Sequence, residues 1–155
     1  PKGVKLAELS SGDSFGEEAL ISDAKRNATI TMLTRGSLVR LSKENFIKLL
    51  NEPILNWVDY STAQKMTAED SSAIWLDVRL PSEFEKNHIA NAIHMPLIFL
   101  RIKYKTLDPS NKLIICCDTG RRSSAAAYLL AERGFDTYVL KDGLNAVSED
   151  EKKIA

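Results

Sequence analysis

The stretch "IICCDTGRRSSAAAYLL", Ile114 to Leu130, sets the two cysteines of the chain against a glycine, two arginines and the start of a helical pattern. A cysteine between a strand and a helix faces the unpaired backbone N–H groups and positive dipole end of that helix. Those groups, with Arg121 and Arg122 nearby, favour negative charge on sulfur, and the thiolate is the nucleophilic form of cysteine. Gly120 lets the backbone fold into a cradle whose amides hold an anion. The predicted chemistry is nucleophilic attack by Cys117 from within an anion-binding nest. Cys116 belongs to the apolar run before the loop and reads as a small buried hydrophobe.

Other polar residues read as structural. Asp77 and Arg79 stand at the end of an apolar run and predict an internal salt bridge. His88 and His94 predict hydrogen bonds to turns, because a preformed thiolate needs no general base. Two histidines and no paired Cys/His spacing argue against a zinc site.

The elements that position this loop follow from apolar patterning. "AIWLDV", "KLIICC" and "TYVL" are continuous apolar runs, and Ser123 to Arg133 carries helical spacing closed by Gly134 as a C-cap. Apolar strands alternating with helices predict a parallel sheet covered on both faces. The cysteine loop then lies beyond the C-terminal ends of the strands, where ligand sites of such sheets form. The rhythm differs before residue 60. Thr29–Leu33 and Ser37–Leu41, separated by three residues that include Gly36, predict a hairpin. Ser42 predicts an N-cap for a helix with Phe46, Ile47, Leu49 and Leu50 on one stripe, ending before Pro53. Ile54 to Tyr60 predicts a second helical stretch, and "STAQKMTAEDSS" a linker. The expected domains are 1–60 and 61–155.

Composition narrows the classes of function. Lysine plus arginine equals aspartate plus glutamate at 21 each among 155 residues, so no global basic field favours nucleic acid or a membrane surface. No apolar run approaches the length of a membrane span. Adjacent cysteines without a disulfide framework predict a reducing, cytoplasmic compartment.

The segment "CDTGRRSSAAAYLLAERGFDTYVLKDG" resembles the active-site half of a rhodanese domain, whose catalytic cysteine opens a loop of form C-x-x-G-x-R-S. Upstream, "IWLDVRLPSEFEKNHIANAIHMPL" resembles the amino-terminal signature of the same family. The resemblance covers residues 74–143 and implies a sulfurtransferase. Cys117 would take sulfane sulfur from a donor such as thiosulfate, become a persulfide, and pass the sulfur to a thiol or cyanide acceptor with no cofactor required. It also implies that Arg122 steadies the loop and the anionic donor, while the backbone of Asp118, Thr119, Gly120, Arg121 and Ser123 cradles the persulfide. Two positions depart from the family pattern. Asp118 stands where many active members carry Lys or Arg, and the usual Gly-Gly-Trp tail is reduced to Gly143 with Val147 near the expected Trp. Two alternatives stay open: a noncatalytic binding module, and a phosphatase using Cys116. Related phosphatases have a loop one residue longer, and counting from Cys116 to Arg122 gives that length.

The segment "GDSFGEEALISDAKRNATI" resembles the phosphate-binding cassette of cyclic nucleotide-binding domains. It implies that Gly16 permits close backbone approach, Glu17 accepts from a ribose hydroxyl and Arg26 pairs with the cyclic phosphate, with Ala28 and Thr29 lining it. The implied ligand is cAMP or cGMP, acting as a regulator of the full-length protein. About a dozen residues precede Phe15, so the expectation is a partial roll with open edges, weak in nucleotide binding and able to oligomerise. Bacterial proteins that join such a domain to a rhodanese domain would explain this layout. The predicted fold is α/β: a rhodanese-like parallel sheet with helices on both faces, plus a partial β-roll fragment with a helix at the N-terminus.

Overall fold

A computed structural model describes residues 5, 7–22, 25, 26, 28–46, 48, 55–148, 151 and 152. Five strands form one wholly parallel sheet: β1 (Asn56–Val58), β2 (Ala73–Asp77), β3 (Ile93–His94), β4 (Lys112–Cys116) and β5 (Asp136–Leu140), in the order β1-β5-β4-β2-β3. The helices are α1 (Glu17–Ser22), α2 (Lys43–Phe46), α3 (Tyr60–Glu69), α4 (Pro81–Lys86), α5 (Leu97–Lys103) and α6 (Arg121–Ala131). The central strands β2 and β4 are apolar along their length because helices cover both faces.

Side-chain alternation divides β4 between two cores. Leu113, Ile115 and Cys117 pack with α5, α6, Phe46 and Leu20 on one face. Ile114 and Cys116 pack with Ala63, Trp75, Leu144 and Val147 on the other. On the first face, α6 presents Ala125, Ala126 and Ala127, all fully buried, so its backbone can lie close to the sheet. Gly120 starts α6 at φ 87°, and Gly134 closes it at φ 82° with Phe135 N–H donating to the Leu130 carbonyl at 3.1 Å. The sequence expectation for that cap and for the two-sided parallel sheet agrees with the structure.

Three expectations are corrected. Asn56–Val58 is strand, not helix: Trp57 and Val58 suit a pleated edge, and Asn56 Nδ2 donates to the Thr137 carbonyl at 3.2 Å. The expected linker is α3, nucleated by Asp59, whose side chain accepts from Thr62 N–H at 2.7 Å, and anchored by buried Ala63. No strand forms among the described residues 28–42, so the hairpin of Thr29–Leu33 and Ser37–Leu41 is not made. Its apolar residues find no sheet to bury against, and Val39 is 97% exposed. Lys43–Phe46 is helical as expected, while Ile47, Leu49, Leu50 and Pro53 lie outside the described residues.

Candidate active site at the cysteine loop

Adjacent residues at the end of a strand point to opposite faces of the sheet. Cys116 therefore enters the core away from α6, where burial pushes its thiol well above the usual range and the Asp77 carboxylate adds to the shift. Cys117 lies on the α6 face. Ser123 N–H, in the first turn of α6, donates to Cys117 Sγ at 3.4 Å, and Ser123 Oγ is also 3.4 Å from that sulfur. The Ser123 and Ser124 hydroxyls donate to the Gly120 carbonyl at 3.0 and 2.9 Å, which fixes the turn that aims the helix at the cysteine. Both cysteines are free and fully buried.

A second loop grips the site from behind. Leu144 N–H donates to the Cys117 carbonyl at 2.7 Å, and Asn145 N–H to the Asp118 carbonyl at 2.9 Å. Gly143 makes this approach at φ 64°, and a Cβ there would fall 2.6 Å from the Cys117 carbonyl oxygen and closer still to that of Asp118. The single glycine of the reduced tail thus sits where no side chain fits.

Arg122 does not reach toward the sulfur. Its Nη1 and Nη2 donate to the two Glu83 carboxylate oxygens at 2.7 and 2.6 Å, and Nη2 lies 3.0 Å from Asp118 Oδ1. The hydrogen-bonded Arg122 holds the Glu83 carboxyl below the usual carboxylate range. Burial works against the charge of Asp118, yet Arg122 keeps its carboxyl low as well. Glu83 is itself placed by its helix: at the third position of α4 it accepts from Leu80 N–H at 2.9 Å. Arg122 ties Asp118 to α4 through these ion pairs.

Asp77 and Arg79 make the expected internal salt bridge. Arg79 Nη2 donates to Asp77 Oδ2 at 2.7 Å, both side chains are buried, and Arg79 also donates to the Asn87 carbonyl at 2.6 Å. His88 Nδ1 pairs with the Phe84 carbonyl at 2.9 Å, and His94 Nε2 with the Arg79 carbonyl at 3.0 Å. Both histidine rings also stack on the Phe84 ring, with centroids 4.0 and 4.3 Å away.

The rhodanese-like domain family matches residues 59–150. The chain belongs to the rhodanese-like family. It is 30% identical over 76 residues to the thiosulfate sulfurtransferase PspE of Escherichia coli, covering 48% of this chain and 73% of that protein. YrkF of Bacillus subtilis is 38% identical over 72 residues, which are 46% of this chain and only 38% of that relative's length. A crystal structure of a rhodanese-related protein from Thermoplasma volcanium superposes with a TM-score of 0.55 at 28% identity, covering 64% of this chain and 97% of the other.

Two residues at the rhodanese-like site escaped the sequence reading. Glu83 stands out in the sequence only as part of a motif, although Pro81 with an acid two residues later marks a helix start. Trp57 carried no signal, because three residues are too few for a strand pattern. It pairs with Val139, which lies level with Ile115 on the Cys117 face. Its ring edge is 3.5 Å from where a Cβ on Gly120 would sit, and Trp57 is 46% exposed beside the loop.

The cyclic nucleotide-binding domain family matches residues 1–52. A cAMP-dependent protein kinase regulatory subunit of Debaryomyces hansenii is 40% identical over 72 residues, 46% of this chain and 15% of that protein. Gly16 adopts φ 86°, with the Arg26 guanidinium directly over it, so these two expected phosphate contacts are brought together. Arg26, Ala28 and Thr29 are exposed. Glu17 is not presented with them. It is 2% exposed and ion-paired with Arg101 of α5, whose Nη2 also donates to the Ser14 carbonyl at 3.4 Å. Gly16 and Arg26 thus lie together, whereas Glu17, the carboxylate expected to take a ribose hydroxyl, is turned toward α5. Among the described residues no cluster of potential metal ligands occurs, and no helix is long and apolar enough to cross a membrane.

Proposed function

We infer that this chain is a sulfurtransferase in which Cys117 carries the sulfur. The observation that supports this best is the placement of Cys117 Sγ against Ser123 N–H and Oγ at the start of α6, beyond the C-terminal end of β4. The Cys117 thiolate attacks the outer sulfur of a donor such as thiosulfate. A new S–S bond forms, the donor's S–S bond breaks, and its electron pair leaves with sulfite. The terminal sulfur of the resulting persulfide is then attacked by a thiolate or cyanide, and the electron pair of the broken bond returns to Cys117. The N-terminal amides of α6 hold the anionic sulfur before and after transfer. Cys116 is a poor candidate for the alternative phosphatase nucleophile, because it faces the core away from α6. A reducing, cytoplasmic setting suits both free thiols.

Cyclic nucleotide, cAMP or cGMP, is the ligand class proposed for the N-terminal cassette, with Gly16, Arg26, Ala28 and Thr29 toward the phosphate. Glu17 would have to leave Arg101 to take a ribose hydroxyl.

Intact mass before and after exposure to thiosulfate or mercaptopyruvate tests the enzyme reading. Gain of one sulfur atom, reversed by cyanide and absent in Cys117→Ser, is expected. A chain that stays unmodified with every donor would instead be a noncatalytic module.

A further inference from the structure

Glu17 is a buried carboxylate with spare capacity. Its ion pair with Arg101 crosses from the cassette to α5, and beyond that pair neither of its oxygens accepts a hydrogen bond among the described residues. Lone pairs left empty in a buried site favour any partner that brings more donors. The same ion pair helps to dock the cassette. α1 packs along α6, and Leu20 and Phe46 join the core that α5 and α6 share with the sheet. Arg101 has other charges near it: Arg133 and Glu132 beside the end of α6, and Asp13 ahead of α1. When Glu17 leaves, Glu132 and Asp13 remain to balance the two guanidinium groups, so the exchange of partners strands no lone buried cation.

Resting on the cyclic nucleotide reading of the cassette above, we propose that Arg101 and the hydroxyls of the ligand compete for Glu17, so that nucleotide binding undocks the cassette from α5 and α6. One carboxylate cannot serve both partners. Facing Arg101 it is buried, whereas Arg26, Ala28 and Thr29 face solvent. Docked and ligand-bound are then two alternative states of one chain, and the coupling between them is reciprocal: docking weakens the ligand by the factor by which the ligand weakens docking.

The test pairs calorimetric titration with cAMP and hydrogen exchange followed by mass spectrometry. Arg101→Met, which frees Glu17, binds cAMP about tenfold more tightly than the native chain, within the usual range of coupling between two sites. Saturating cAMP speeds amide exchange in α5 (Leu97–Lys103) of the native chain about tenfold, because the cassette no longer covers that helix. The exchange measurement needs no substitution, so it decides the matter even if Arg101→Met fails to fold. Binding with equal affinity in both chains, or binding that leaves α5 as protected as before, overturns the competition and leaves the ligand reading intact. Binding by neither chain overturns the ligand reading, and the competition falls with it.

Discussion

Glu17 and Arg101 form a buried ion pair that ties the N-terminal cassette to α5 of the rhodanese-like domain. Leu20 and Phe46 pack on the same core, and Phe46 meets the ring of Tyr128 in α6 edge-on at 5.1 Å. The helix that supports the cysteine loop is thus also the floor for the cassette. Removing one partner of a buried pair strands the other charge, so Arg101→Met should destabilise the chain by about 3 kcal/mol. The double variant Glu17→Gln/Arg101→Met should recover most of that loss. Urea unfolding of the two variants measures it, and equal losses in both would contradict a coupled pair.

Among the described glycines, Gly143 should tolerate an added methyl least. Gly143→Ala forces a side chain into a left-handed backbone and onto the carbonyls of Cys117 and Asp118, at a cost of well over ~2 kcal/mol. Gly134→Ala is the control: it has the same sign of φ but nothing within 4 Å of the added carbon, and should cost about 1 kcal/mol. Thermal unfolding separates the two, and only the first should also slow persulfide formation.

Acid should weaken the bridge between α4 and the loop. The Glu83 carboxyl is held below its ordinary 4.5 by the Arg122 hydrogen bonds, so its folded value lies under its unfolded value. Its contribution is therefore fully present above about pH 4.5 and is lost as pH falls through the folded value. Asp118, lowered in the same direction, adds to the acid limb. Glu83→Gln should lose about 1 kcal/mol at neutral pH and less at pH 3. Urea midpoints between pH 3 and 7 check this, and parallel acid limbs would refute it.

The two cysteines should respond oppositely to substitution. Cys117→Ser should abolish persulfide formation. Cys116→Ala, on the far face, should keep the rate within about threefold while losing roughly 1 kcal/mol of stability. Ser123→Ala should lower kcat by about tenfold with little effect on KM, since its hydroxyl touches the sulfur and its amide remains. Donor-dependent mass shifts and stopped-flow rates measure all three.

Much of this architecture is legible in the residues. Continuous apolar runs specify strands buried on both faces, and the parity of Cys116 and Cys117 follows from the period of a strand. Cation placement near the loop could be read, but the partner of Arg122 could not, because Glu83 lies 39 residues away and only the fold joins them. Residues 28–42 misled for the opposite reason. Their alternation satisfies a strand pattern locally, yet a strand exists only where another offers hydrogen bonds and an apolar face. Asn56–Val58 is strand because β5 supplies both, although three residues carry almost no pattern of their own.

The back-to-back placement of Cys116 and Cys117 closes an exit. Consecutive Cα atoms stand about 3.8 Å apart, short of the roughly 4.4 Å at which disulfides begin to be comfortable, and here the two thiols diverge through opposite sides of the sheet. A persulfide on Cys117 therefore has no resolving thiol next door that could expel its sulfur as hydrogen sulfide. If the loop is charged as proposed, it would hold its cargo until a separate molecule arrives to collect it. The unloading step would then be bimolecular by construction of the strand, and the concentration of acceptor would set how long the sulfur waits.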